Sequence, residues 1–135
     1  MKYLLDTDTC VFWLRGRVTV RDRLTVVEPE EVALSVITLA ELRYGASCSA
    51  RSEANHQAID DLVSALLVLA VTPEVARAFG DIKAQLRQKG ALIEDLDLMI
   101  AATACAYDLI LVTDNLAHFG RIPGLRLESW GESSS

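Results

Sequence analysis

Short apolar runs alternate with longer stretches of helical periodicity along most of the chain. Residues 2–6, in which Tyr3-Leu4-Leu5 is closed by Asp6, read as a buried strand. Glu31 to Val36 reads as a second strand and Leu109 to Val112 as a third, with shorter edge segments over Val68–Val71 and 126–128. Between them, Thr7-Asp8-Thr9 offers capping side chains to a short helix over Cys10–Leu14 that Gly16 stops, and 20–27 is weakly helical. A helix from Leu39 to Cys48 carries Leu39, Leu42 and Ala46 on one face, and one from Ser52 to Leu67 carries Ile59, Leu62, Val63 and Leu66. Thr72-Pro73-Glu74 opens a helix that Gly90 ends, because proline suits a first turn where its missing N–H costs nothing. The most apolar helix, Asp97–Ala106, is rich in small residues, which predicts close packing on the sheet. Phe119–Leu125 reads as a turn. The alternation predicts an α/β fold: a three-layer α/β/α sandwich with a four- or five-stranded, mainly parallel sheet. One domain is expected over 1–131, with 132–135 a frayed tail.

Composition narrows the function classes. The chain has 135 residues, 51% hydrophobic and 24% charged, which fits one compact domain and not a disordered segment. No stretch approaches the roughly 18 consecutive apolar residues of a membrane span, and the N-terminus lacks a signal-peptide core, so a cytoplasmic location is expected. The three cysteines form no CxxC, and the two histidines are not at ligand spacing with a cysteine; reduced, buried thiols and no zinc site are expected. A net charge of −6 argues against a broad basic face for nucleic acid. It leaves room for a nuclease whose own metal-binding acids supply negative charge. Arg15, Arg17, Arg21 and Arg23 border a substrate path on one reading and are solvated surface on the other.

The informative residues are acids at strand ends and helix starts. Asp6 ends the first strand, and Asp114-Asn115 follows the third after Thr113, so parallel pairing brings them to the carboxyl edge where open α/β sheets place their sites. Asp6 also reads as a helix N-cap, but Thr7 and Asp8 compete for that task. Thr38-Leu39-Ala40-Glu41 is a capping box, a structural reading of Glu41. The same Glu41, between Leu39 and Leu42 in a helix that follows a strand, is an acid in apolar surroundings that must be paired, protonated or metal-bound. Asp97 opens its helix, where the helix dipole favours the ionised carboxylate. Asp114-Asn115 is either a turn-forming pair or a source of ligand oxygens, and either residue can fill the inward position. Carboxylates gathered in this way repel one another unless a divalent cation sits among them, which points to Mg²⁺ or Mn²⁺ and to phosphodiester hydrolysis.

In order along the chain, Tyr3-Leu4-Leu5-Asp6-Thr7-Asp8, Thr38-Leu39-Ala40-Glu41-Leu42-Arg43-Tyr44-Gly45, Asp97 to Ala104, and Leu111-Val112-Thr113-Asp114-Asn115 through Phe119 and Trp130 resemble the four blocks of the PIN-domain ribonucleases. Within them they resemble the VapC-type toxins of toxin–antitoxin pairs. The resemblance spans essentially the whole chain. It implies that Asp6, Glu41 and Asp97 are the first three acidic site residues, with Asp114 or Asn115 in the fourth position. It further implies cleavage of RNA with Mg²⁺ or Mn²⁺, a homodimer, and inhibition by a cognate VapB-type antitoxin, with or without a higher assembly. Thr7, Thr38, Arg43 and Thr113 lie inside the same blocks and are expected to support the acids or meet substrate. Two other readings stand beside this one: a non-catalytic PIN-like binding module, and a phosphatase using Asp6 as nucleophile, for which the chain has Cys10 where the usual threonine would fall.

Overall fold

The computed structural model describes residues 1–131; the expected frayed tail over 132–135 lies outside the described residues. Strands β1 (Tyr3–Leu5), β2 (Val32–Ser35), β3 (Leu67–Leu69), β4 (Ile110–Val112) and β5 (Leu127–Glu128) form one sheet in the order β3-β2-β1-β4-β5. All four pairings are parallel. In the centre, Leu4 stands opposite Ala33 on one side and Leu111 on the other.

A parallel sheet of this kind needs cover on both faces, and the side-chain alternation divides its residues accordingly. Leu4, Ala33 and Leu111 pack with α5 (Pro73–Gln88) and α6 (Asp95–Ala106). Tyr3, Leu5, Val32, Leu34 and Val112 face the other way, onto α1 (Thr7–Leu14), α2 (Val18–Val26), α3 (Val36–Ser47) and α4 (Ser52–Ala65). The alanines of α6, Ala101, Ala102 and Ala104, are fully buried, so this helix lies close on the sheet as its small residues require. A four-residue helix, α7 (Leu116–Phe119), follows β4 where the sequence suggested no separate element. Its buried Phe119 anchors it.

Several boundaries shift by one to three residues from the sequence reading, and three of the shifts move an acid. α3 begins at Val36, directly from β2, because Ser35 is its N-cap and accepts from the Ile37 amide at 3.0 Å. The Thr38–Glu41 capping box is therefore not used: Thr38 is inside the helix and Glu41 sits in its second turn. α6 begins two residues earlier than expected, at Asp95, so Asp97 lies within the first turn instead of opening it. At α1 the N-cap is Asp6, whose Oδ1 accepts from the Thr9 amide at 2.8 Å, while Thr7 and Asp8 are already helical. Of the three candidates for that cap, Asp6 is the one that makes it. None of the three cysteines forms a disulfide. Cys10 is buried, which pushes its thiol pKa up, whereas Cys48 and Cys105 are exposed, contrary to the expectation that all three are core residues.

Candidate active site

The chain runs outward from β1 to β2 and β3 and then returns to place β4 on the other side of β1, so the sheet's switch point lies between β1 and β4. Their carboxyl ends are tied together there. The Asp6 amide donates to the Val112 carbonyl at 3.0 Å and the Thr9 hydroxyl donates to the same carbonyl at 3.1 Å. Above this junction opens a small cleft of about 80 Å³, lined by Asp6, Asp8, Glu41, Asp97 and Asn115 with Thr7 and Phe119. No lysine or arginine lines it.

The electrostatics follow from that inventory. Asp6 is only 3% exposed, and burial raises its pKa to about 6 despite hydrogen bonds from Thr113 and Thr9 that favour the ionised form. Asp97 is also raised, first by burial and then by the negative charges of Glu41 and Glu94, with His118 opposing them. Glu41 is oriented by the Thr7 hydroxyl, which donates to its Oε1 at 2.6 Å and lies 3.4 Å from the buried Thr38 hydroxyl. The buried Thr113 hydroxyl accepts from the Asn115 amide at 2.9 Å. Asn115 in turn caps α7, its Oδ1 accepting from the His118 amide at 3.3 Å.

The structure brings Asp6, Glu41, Asp97 and Asn115 to one cleft, with Thr7 lining it and Thr38 and Thr113 directly behind. Two of the residues singled out in the sequence lie elsewhere. Asp114 turns away from the cleft, its Oδ1 accepting from the Ser129 hydroxyl and its Oδ2 lying 3.8 Å from Arg17. Arg43 follows Glu41 by two positions, about 200° around the helix, and so projects from the far side of α3. There it bonds the His56 carbonyl at 3.1 Å and pairs with Asp60, bridging α3 to α4. Two residues join the site unannounced. Asp8 lines the cleft, and His118 stands 3.8 Å from Asp97 with its Nδ1 3.0 Å from the Asn115 amide nitrogen. For Asp8 a signal existed in its place beside Asp6 in the first block, two residues on. His118 lies near the fourth block in sequence but read as a packing or surface residue, because α7 had no pattern of its own.

The donor set is entirely carboxylate and carboxamide oxygen, which suits a hard divalent cation. Among the described residues no three Asp, Glu, His or Cys side chains stand close enough to hold an ion by themselves. The acids present fit a cation held by one or two carboxylates and its own waters, as Mg²⁺ commonly is.

A PIN domain profile matches residues 3–125. The chain belongs to the PIN-domain family. Within that family it is of VapC type. It is 38% identical over 131 residues to the tRNA(fMet)-specific endonuclease VapC of Salmonella typhimurium, covering 96% of this chain and 98% of that relative. It is 40% identical over 131 residues to Ribonuclease VapC2 of Haemophilus influenzae, with the same coverage. Its fold matches the crystal structure of DNA-bound VapBC from Salmonella typhimurium with a TM-score of 0.92 at 38% identity, over 96% of this chain and 98% of that one. The profile match takes in every residue that lines the cleft. No helix among the described residues is long and apolar enough to cross a membrane.

Proposed function

We propose that this PIN domain is a Mg²⁺- or Mn²⁺-dependent endoribonuclease and acts as the toxin of a toxin–antitoxin pair. The observation that carries the reading is the convergence of Asp6, Glu41, Asp97 and Asn115 in one cleft lacking lysine and arginine, where Asp97 is pushed toward protonation by burial and then by the charge of Glu41. Such a site favours a divalent cation as the missing counter-charge. Asp6, Glu41 and Asp97 would hold the ion or its waters, with Asn115 adding a neutral oxygen. When bound, the cation supplies an activated water and offsets charge on the phosphate under attack.

The protein's own groups supply orientation. The Thr9 amide fixes the Asp6 carboxylate and Thr7 fixes Glu41, so neither acid has to lose rotamer freedom on loading. Thr113 holds the turn that aims Asn115. Asp97 sits in the first turn of α6, where the helix dipole opposes the protonation that burial promotes.

A larger groove of about 310 Å³ meets the cleft at Thr7 and Glu41 and is lined by Val11, Leu14, Leu42 and Ile59. Its apolar wall beside the acids suits a VapB-type antitoxin segment that blocks access to RNA. Leu67 and Val68 on the open edge strand and Val71 just beyond it are exposed, which supports self-association as a homodimer in the toxin–antitoxin complex.

The test is incubation of partner-free protein with a mixed RNA pool in Mg²⁺, Mn²⁺ or EDTA, followed by mapping of the cleaved ends. Cleavage is expected with either metal, absent in EDTA and reduced on the order of 10³-fold in Asp97→Asn. A folded wild-type protein that leaves every RNA intact with both metals overturns the reading.

A further inference from the structure

Adjacent residues at the end of β4 face opposite ways: Asn115 enters the cleft, and Asp114 leaves it for the C-terminal segment. We infer that Asp114 is a positioning residue, clamped by Ser129, Arg17 and Gly131, and that the C-terminal segment thereby sets the aim of Asn115. The inference rests on the nuclease reading and assigns Asp114 a task other than binding the ion.

The clamp solves a problem that the sheet leaves open. β5 is two residues long and lies at the sheet edge, and its last tie to β4 is the Thr113 amide donating to the Glu128 carbonyl at 2.9 Å. Beyond that point no backbone ladder fixes the turn carrying Asn115. The Asp114 carboxylate extends the connection by one side chain, accepting from the Ser129 hydroxyl on one oxygen and facing Arg17 at 3.8 Å with the other.

Gly131 makes the approach possible. A Cβ at that position would collide with Asp114 Oδ2, so any side chain there must displace the carboxylate or the backbone. The segment is a firm anchor. Trp130 is buried and meets the Tyr3 ring edge-on at 5.1 Å between centroids. The Glu128 carboxylate accepts from Trp130 Nε1 at 3.0 Å and from Arg23 at 2.6 Å. The Thr19 hydroxyl donates to the Gly131 carbonyl at 3.3 Å. α2 and the chain end together thus grip Asp114 from the side away from the cleft.

The experiment compares Asp114→Asn, Asp114→Ala, Ser129→Ala and Gly131→Ala with wild type and Asp97→Asn. It measures kcat and KM on an RNA that the wild type cleaves, Mn²⁺ affinity of metal-free protein from the electron paramagnetic resonance signal of free Mn²⁺, and Tm. Asparagine at 114 still accepts from Ser129, so that variant is expected to keep kcat, KM and Mn²⁺ affinity within about threefold. Asp114→Ala and Gly131→Ala are expected to lower kcat about tenfold or more with KM nearly unchanged, because a small misplacement of a site group is costly. Ser129→Ala, the mildest change and the one least able to unfold the chain, should show the same kcat loss in smaller measure.

If Asp114→Asn loses Mn²⁺ binding as fully as Asp97→Asn, Asp114 is a ligand and the inference is wrong. If Gly131→Ala and Ser129→Ala lower Tm while kcat and Mn²⁺ affinity stay at wild-type values, the clamp is structural only and the inference is equally wrong. A wild type that binds Mn²⁺ but cleaves nothing counts against the nuclease reading, and Mn²⁺ affinity still decides the role of Asp114.

Discussion

Two polar clusters flank the end of β4, and they treat their carboxylates in opposite ways. On the C-terminal side each acid has a cation and a hydrogen-bond donor: Arg17 and Ser129 for Asp114, Arg23 and Trp130 for Glu128. On the cleft side Asp6, Asp8, Glu41 and Asp97 share the space with one half-exposed histidine and no lysine or arginine. The two clusters meet at adjacent residues, Asp114 and Asn115, yet only the second pushes acids toward protonation. Acids that hold a fold together are matched within it. The cleft acids are left short of counter-charge, which is what the proposed metal-dependent chemistry requires of them.

The comparison breaks first at Asp97. Replacing it with asparagine removes charge from the unmatched cluster and should reduce metal-dependent RNA cleavage on the order of 10³-fold, equivalent to several kcal/mol of lost charge stabilisation. A rate within a few-fold of wild type in single-turnover assays would remove Asp97 from the chemistry.

Asp6 tests whether the unmatched cluster costs stability. Its folded pKa of about 6 lies above the ordinary carboxylate value, so its contribution to stability is full below about pH 4 and is lost as pH rises through 6. Asp6→Asn keeps a side chain able to cap α1 and removes the buried charge. In EDTA at neutral pH it should be more stable than wild type, on the order of 2 kcal/mol, while losing cleavage. Thermal melts across pH 4–8 check the sign: the gain should vanish toward pH 4, and a variant less stable than wild type at neutral pH would contradict it.

Smaller effects sharpen the contrast. Thr7→Val preserves shape but frees Glu41, and kcat should fall about tenfold with little change in Tm, the loss of one orienting hydrogen bond. Arg23→Ala and Arg43→Ala belong to matched, partly exposed pairs. Each should cost about 1 kcal/mol or less in denaturant unfolding and leave Mn²⁺ affinity unchanged. A loss of Mn²⁺ affinity in Arg43→Ala would bring that residue back to the site.

Much of this was legible in the chain. Leu4, Leu34 and Leu111 announce buried strands because a parallel sheet covered on both faces needs continuous apolar runs, and Thr72-Pro73 places the start of α5 to the residue. Asp6 and Asn115 are found by their position after such strands. What misled was local chemistry with several solutions. The Thr38–Glu41 box satisfies the capping pattern, but Ser35 caps first because β2 runs straight into α3. Asp114 and Asn115 are equivalent by type and position, and α7 is too short to carry a periodic signal.

The sequence by itself determined the layers, the strand edges and the set of acids available, since burial and hydrogen bonding along the backbone are dictated by local pattern. The tertiary structure decided which acids remain unmatched. That outcome depends on partners distant in the chain, such as Ser129 and Arg17 at Asp114 or Glu41 beside Asp97, and distance in space is information that no single segment carries.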